Sequence, residues 1–210
     1  MLKIYGVPIS RSISNIWCCL ELGIPYDNVQ TGWDDNSIYD PAFRKINPNA
    51  RVPVIQDGDF ILWESFAINL YLVKKYGGPM APRDLQEDAL CTQWSLWTAV
   101  HLQRTAMQWA FNTFILPEEE RQPEIGQKMW KDLQPFLRVL DEQLAKAPDL
   151  LGDRYSVADL TVGCGLLRPR WQMDLSAYPN LKDWDRRVFE RPAAQKAWAI
   201  RVAAAKVAKT

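Results

Sequence analysis

The chain has 210 residues, 48% of them hydrophobic, enough for one large or two small domains with substantial cores. Its 25 basic and 25 acidic residues cancel, so no global field favours nucleic acid or an anionic membrane, and a small ligand is the better-matched partner. The longest apolar runs, such as Val202 to Ala205, are far too short to span a bilayer, and Cys18, Cys19, Cys91, Cys164 and His101 form no metal-ligand cluster, which excludes a structural zinc site.

The N-terminus lacks signal-peptide form, so a cytoplasmic protein with reduced thiols is expected. A short strand is predicted over Leu2 to Tyr5, a helix from near Ser12 to Gly23, and a strand around Tyr26 to Val29, a βαβ opening. Phe43 to Ile46 reads as a short helix after an irregular loop. Val52-Pro53-Val54-Ile55 and Phe60-Ile61-Leu62 flank Asp57-Gly58, a strong hairpin-turn signal. A helix from about Ser65 to Tyr76 closes this half, and the order β-α-β-α-β-β-α is that of the thioredoxin fold.

Gly77-Gly78-Pro79-Met80-Ala81-Pro82 reads as an interdomain linker, dividing residues 1–78 from residues 84–210. The second half shows helical periodicity over about residues 84–115, 123–146, 156–167, 181–190 and 193–206, and is expected to be an all-α bundle. Pro135 predicts a kink in the second of these helices, and Ser156-Val157-Ala158-Asp159 fits a capping box with a folding role.

Several motifs co-occur in the first half: Leu2-Lys3-Ile4-Tyr5-Gly6, Pro8-Ile9-Ser10, Trp17 to Tyr26, Asn47-Pro48-Asn49-Ala50-Arg51-Val52-Pro53-Val54-Ile55, and Leu62-Trp63-Glu64-Ser65-Phe66-Ala67-Ile68. Together with Gly152 to Asp159 and Arg191-Pro192-Ala193 further on, they resemble the soluble, cytosolic glutathione transferases, serine-type members of bacterial theta-like or phi-like character. The resemblance implies a thioredoxin-like α/β domain that binds glutathione as co-substrate and an all-helical domain that carries the electrophile pocket. It also implies a homodimer, although Asn49 lies where some relatives place an interlocking aromatic.

The site residues have a physical reading beside the implied one. Ser10 and Ser12 both suit capping of the helix that follows, and on pattern alone capping is the commoner role. The resemblance implies that the Ser10 hydroxyl donates to the glutathione sulfur, at a helix start whose dipole favours a thiolate, with Arg11 and Ser12 as understudies. Val52-Pro53 opens a strand; the resemblance implies a cis bond, with Val52 pairing its backbone to the cysteinyl part of glutathione. Glu64-Ser65 opens a helix and caps it, and by the same resemblance Ser65 holds the γ-glutamyl carboxylate while Glu64 helps hold the ammonium.

Many serine-type relatives carry a histidine and a lysine for the glycyl carboxylate, but the matching stretch here is Ser37-Ile38-Tyr39-Asp40. Arg51 is the best-placed replacement, with Arg11 and Lys45 behind it; a solvated surface charge is the equal alternative for Arg51. Trp94, Trp97 and His101 share a helix face, a stripe that is more often core, and the resemblance implies an electrophile pocket there. The implied activity is thiolate attack on small hydrophobic electrophiles, with peroxidase chemistry also in the family's range. The alternative is a ligand-binding carrier of weak activity on the same fold.

Overall fold

The computed structural model describes residues 1–33 and 35–207; residues 208–210, the end of the expected helical domain, lie outside them. Two compact units emerge: Met1–Ala81 together with Glu190–Thr210, and Pro82–Phe189.

In the first unit, β1 (Leu2–Tyr5) and β2 (Tyr26–Val29) are parallel, and β3 (Val54–Asp57) and β4 (Phe60–Trp63) form a hairpin, giving a four-stranded mixed sheet of order β2-β1-β3-β4. Period-2 alternation sends Ile4 and its partner Ile55 to one buried face, while Val54 packs on the other with Ile38 and Phe43. The loop of the hairpin is Gly58-Asp59, because Asp57 still pairs with Phe60. Only Gly58 takes a positive φ, 63°, so the turn has the primed geometry with glycine at its first central position.

Helix α1 (Ser12–Leu22) is buried without a break from Ser12 to Cys19, since the sheet, α3 (Ser65–Tyr76) and α9 (Pro192–Val207) all cover it. Adjacent Cys18 and Cys19 are therefore both buried although they point to different sides, and burial pushes the Cys19 thiol up to about 12. Gly23 ends α1 in the left-handed conformation. A short helix α2 (Pro41–Ile46) lies between β2 and β3, capped by the Asp40 carboxylate, which accepts from the Ala42 N–H at 2.7 Å. The closing helix α9, which periodicity alone groups with the helical half, packs along α1.

The second unit is helical throughout its regular structure: α4 (Leu85–Trp97), α5 (Gln103–Ala110), α6 (Pro123–Leu144), α7 (Val157–Leu166) and α8 (Pro179–Glu190). The expected long first helix runs from Leu85 to Ile115, with π-helical turns at Thr98–Leu102 and Phe111–Ile115. Helix α6 continues through Pro135 as a single element. The capping box at α7 is present, and the Asp159 carboxylate also accepts from the Leu150 N–H and the Trp184 indole, each at 2.9 Å. No described helix is long and apolar enough to cross a membrane.

Candidate functional site

The loop between β1 and α1 begins at Gly6, whose φ of 139° suits glycine. A Cβ there would lie 2.6 Å from Ser12 Oγ and 3.1 Å from Val52 Cβ, so the missing side chain lets two parts of the site approach each other. The chain then turns back on the Val7 carbonyl, which the Ser10 N–H reaches at 2.9 Å, the Ser10 hydroxyl at 2.6 Å and the Ser12 hydroxyl at 2.7 Å. The two hydroxyl oxygens are 2.5 Å apart, and Ser10 Oγ accepts from the Ser12 N–H at 3.1 Å. Ser10 thus satisfies a free N–H at the start of α1, while Ser12 is buried beneath it and Ser10 remains partly exposed.

The Val52-Pro53 bond is cis. Among the described residues, neither the N–H nor the C=O of Val52 is hydrogen-bonded within the protein. The turn before it is held by buried Asn47, whose Nδ2 donates to the Arg51 carbonyl at 2.7 Å and whose Oδ1 accepts from the Asn49 N–H at 3.1 Å.

Glu64 sits just before α3 at φ 74°, ψ 112°, a conformation costing about 1–3 kcal/mol for a residue with a Cβ and found mainly where a site requires it. Ser65 follows, 4% exposed, with its hydroxyl bonded to no other described residue. Its carbonyl accepts from Asn15 Nδ2 at 2.9 Å, that nitrogen also donates to Asn69 Oδ1 at 2.7 Å, and Asn69 Nδ2 donates to Ser14 Oγ at 2.9 Å. This buried amide bridge fixes the start of α3 against α1. Sequence reasoning missed it; the available signal was two asparagines inside otherwise apolar helices.

Arg11 lies close enough to Glu64 and Arg51 to feel both charges. Desolvation holds the Arg11 guanidinium below its ordinary pKa, Glu64 opposes that shift and Arg51 adds to it, even though Arg11 as a whole residue is exposed. Among the described residues, none of the three is in an ion pair. The stretch at Ser37 carries no cation: it is a 3₁₀ turn in which the Ser37 hydroxyl donates to Asp35 Oδ1 at 2.6 Å.

On the helical unit, the Trp94 and Trp97 rings meet edge to face at 5.2 Å between centroids. Trp97 and His101 both pack on Phe136 of α6, at 6.0 and 5.6 Å. Trp94 is buried as core, Trp97 is half-buried and His101, in the first π-helical turn, is exposed. A separate cavity of about 420 Å³ lies by the second π-helical turn between Trp109 and Trp130, and none of the three stripe residues lines it. Its polar groups serve local structure, for example Asn112 Oδ1 accepting from the Gln122 N–H at 3.1 Å. Of the stripe, only half-buried Trp97 and exposed His101 adjoin solvent.

Residues 1–74 match the family model for the glutathione S-transferase N-terminal domain, and residues 102–192 match that for the C-terminal domain. Over 205 residues the chain is 29% identical to glutathione S-transferase GstB of Escherichia coli strain K12, covering 93% of this chain and 97% of that protein. It is 34% identical over 155 residues to glutathione S-transferase theta-1 of Bos taurus, covering 70% and 65% of the two chains. The crystal structure of a theta class glutathione S-transferase from Xanthomonas axonopodis pv. citri, with glutathione bound, is similar at a TM-score of 0.85 and 30% identity, over 93% of this chain and 96% of that one.

Proposed function

Since the chain belongs to the glutathione S-transferase family, we propose that it activates the thiol of glutathione through Ser10 and adds it to small hydrophobic electrophiles held against the helical unit. The observation that carries this reading is the pair of serines at the Val7 carbonyl. Ser10 has one proton to give. When it turns toward a bound sulfur, the Val7 oxygen keeps the Ser12 hydroxyl and the Ser10 N–H, so no backbone acceptor is stranded.

A free thiol titrates near 8.5, and a hydroxyl donor together with the positive end of α1 shifts it toward the thiolate at neutral pH. With an aryl halide, a sulfur–carbon bond then forms, the carbon–halogen bond breaks, halide leaves with the bonding pair and the thiol proton passes to solvent. The protein contributes position and electrostatics.

The unbonded backbone of Val52 supports strand-like pairing with the cysteinyl residue. The unoccupied Ser65 hydroxyl and the α3 start support capture of the γ-glutamyl carboxylate, with Glu64 facing the ammonium. Arg51, with Arg11 beside it, takes the glycyl carboxylate in place of the cations that Ser37-Ile38-Tyr39-Asp40 lacks. Exposed Phe60, Trp63 and Tyr76 on the first unit, and Leu85, Leu90 and Leu96 on α4, support a homodimer. Three buried cysteines and one half-buried one, with thiols expected to be reduced, fit a reducing, cytoplasmic setting.

The test is turnover across aryl halides, epoxides, isothiocyanates and peroxides at saturating glutathione, with glutathione binding confirmed by calorimetry. Conjugation of at least one apolar electrophile well above the uncatalysed rate is expected. A panel flat at background, with tight binding of flat hydrophobic ligands, establishes the carrier reading instead.

A further inference from the structure

The loop that carries Ser10 is held from behind by a residue that no motif marks. Arg201 of α9 is 9% exposed, and its Nη1 lies 3.2 Å from the Pro8 carbonyl and 3.4 Å from that of Ser10, with the Ile9 carbonyl the nearest of the three. Three successive carbonyls therefore converge on one guanidinium nitrogen, an arrangement that requires a cation or a strong donor at that point.

The helix that brings Arg201 there is tied down at its other end too. Arg191, just before α9, makes a bidentate pair with Glu21 near the end of α1, at 2.8 and 2.7 Å, and Trp17 Nε1 donates to the same carboxylate at 3.1 Å. Helix α9 thus runs antiparallel to α1, pinned at the C-terminal end of α1 by Arg191 and at the loop preceding it by Arg201.

We propose that Arg201 is a positioning residue for the reaction: it grips the carbonyls of Pro8, Ile9 and Ser10, holds the activating hydroxyl in place and sets a permanent positive charge behind it. This rests on the reading of Ser10 as the activating group. The grip fixes the backbone on which the Ser10 rotamer depends. The charge, buried one peptide away from Ser10, favours the thiolate over the thiol. Arg11 on the loop, and Glu64 and Arg51, whose charges act on it, are left unchanged by the test.

The experiment compares Arg201→Gln and Arg201→Lys with the wild-type enzyme and with Ser10→Ala, reading the pH profile of turnover, the ultraviolet absorbance of bound glutathione thiolate, and KM for glutathione. Arg201→Gln is expected to raise the apparent pKa of the bound thiol by about one unit and to lower kcat at neutral pH about tenfold, with KM changed less than about threefold. Arg201→Lys keeps the charge, so its thiol pKa stays at the wild-type value while kcat falls a few-fold from the lost planar fork. Glu21→Gln, which loosens the far end of α9, is the stability control: it lowers Tm and leaves the thiol pKa alone.

A wild-type thiol pKa in Arg201→Gln overturns the proposal, and so does an equal pKa rise in the Lys and Gln variants. If Arg201→Gln does not fold, Arg201→Lys with wild-type kcat overturns it. Ser10→Ala with unchanged pKa and kcat removes the Ser10 reading by itself, an outcome separate from the two Arg201 results.

Discussion

The Ser10 and Ser12 hydroxyls share one acceptor, the Val7 carbonyl, at 2.6 and 2.7 Å, and stand 2.5 Å from each other, yet only Ser10 reaches the surface. On the proposed reading their roles separate: the Ser10 hydroxyl turns to the ligand and the Ser12 hydroxyl keeps the carbonyl occupied. Ser10→Ala is expected to lower kcat with a chlorinated aromatic by about 10- to 100-fold while KM for glutathione changes little. Ser12→Ala is expected to cost only a few-fold, because the Ser10 proton is then drawn to Val7. The reverse ranking would transfer the activating role to Ser12.

The Ser65 hydroxyl has no bond to another described residue, although the residue is almost fully buried. Ser65→Ala should weaken glutathione binding by about 1.5–3 kcal/mol, the worth of a hydrogen bond to a charged group. Calorimetry showing unchanged affinity would take Ser65 out of the site. Thermal stability should change little, since the Asn15 and Asn69 bridge uses the Ser65 carbonyl and is untouched.

Trp97 contacts Trp94 and Phe136 and is half-buried, and the proposed reading sets the apolar electrophile against it. Trp97→Ala should alter KM and kcat for the electrophile several-fold while leaving the glutathione constants within about twofold, because the sites proposed for the two co-substrates lie on different units. Equal effects on both co-substrates would show that Trp97 serves packing alone.

Glu87 is the most strongly shifted carboxylate of the helical unit with a resolved value. Its hydrogen bonds with Arg83, from the guanidinium at 2.7 Å and the backbone at 2.8 Å, together with Arg154, hold its pKa at about 2 against burial. A carboxyl depressed below its ordinary 4.5 stabilises the fold fully above pH 4.5, and that stability is lost as pH falls toward 2. Acid unfolding of the wild-type protein should therefore steepen within this window. Glu87→Gln should lower Tm at pH 7 by about 3–10 °C and show a shallower acid limb, measured by circular dichroism. Parallel acid limbs for the two proteins would show that Glu87 does not carry the dependence.

The local grammar of this chain was open to reading without coordinates, because strand alternation, helix periodicity, glycine turns and caps are set by residues within a few positions of one another. The β-α-β opening, the helix from Ser65 to Tyr76 and the Ser156/Asp159 capping box follow from such patterns. Even there, register needed the fold: strand pairing puts Asp57 opposite Phe60 and makes the loop Gly58-Asp59. What only tertiary structure decided are relations between distant residues. Burial of Ser12 beneath Ser10 depends on how Gly6 lets the chain close, the Asn15–Asn69 bridge joins residues 54 apart, and Arg201 meets the Ser10 loop across more than 190 positions. Periodicity records which face of a helix is apolar but not what will lie against it. An arginine on α9 therefore reads as a surface charge until the helix is laid along α1 and three carbonyls are found waiting for its guanidinium.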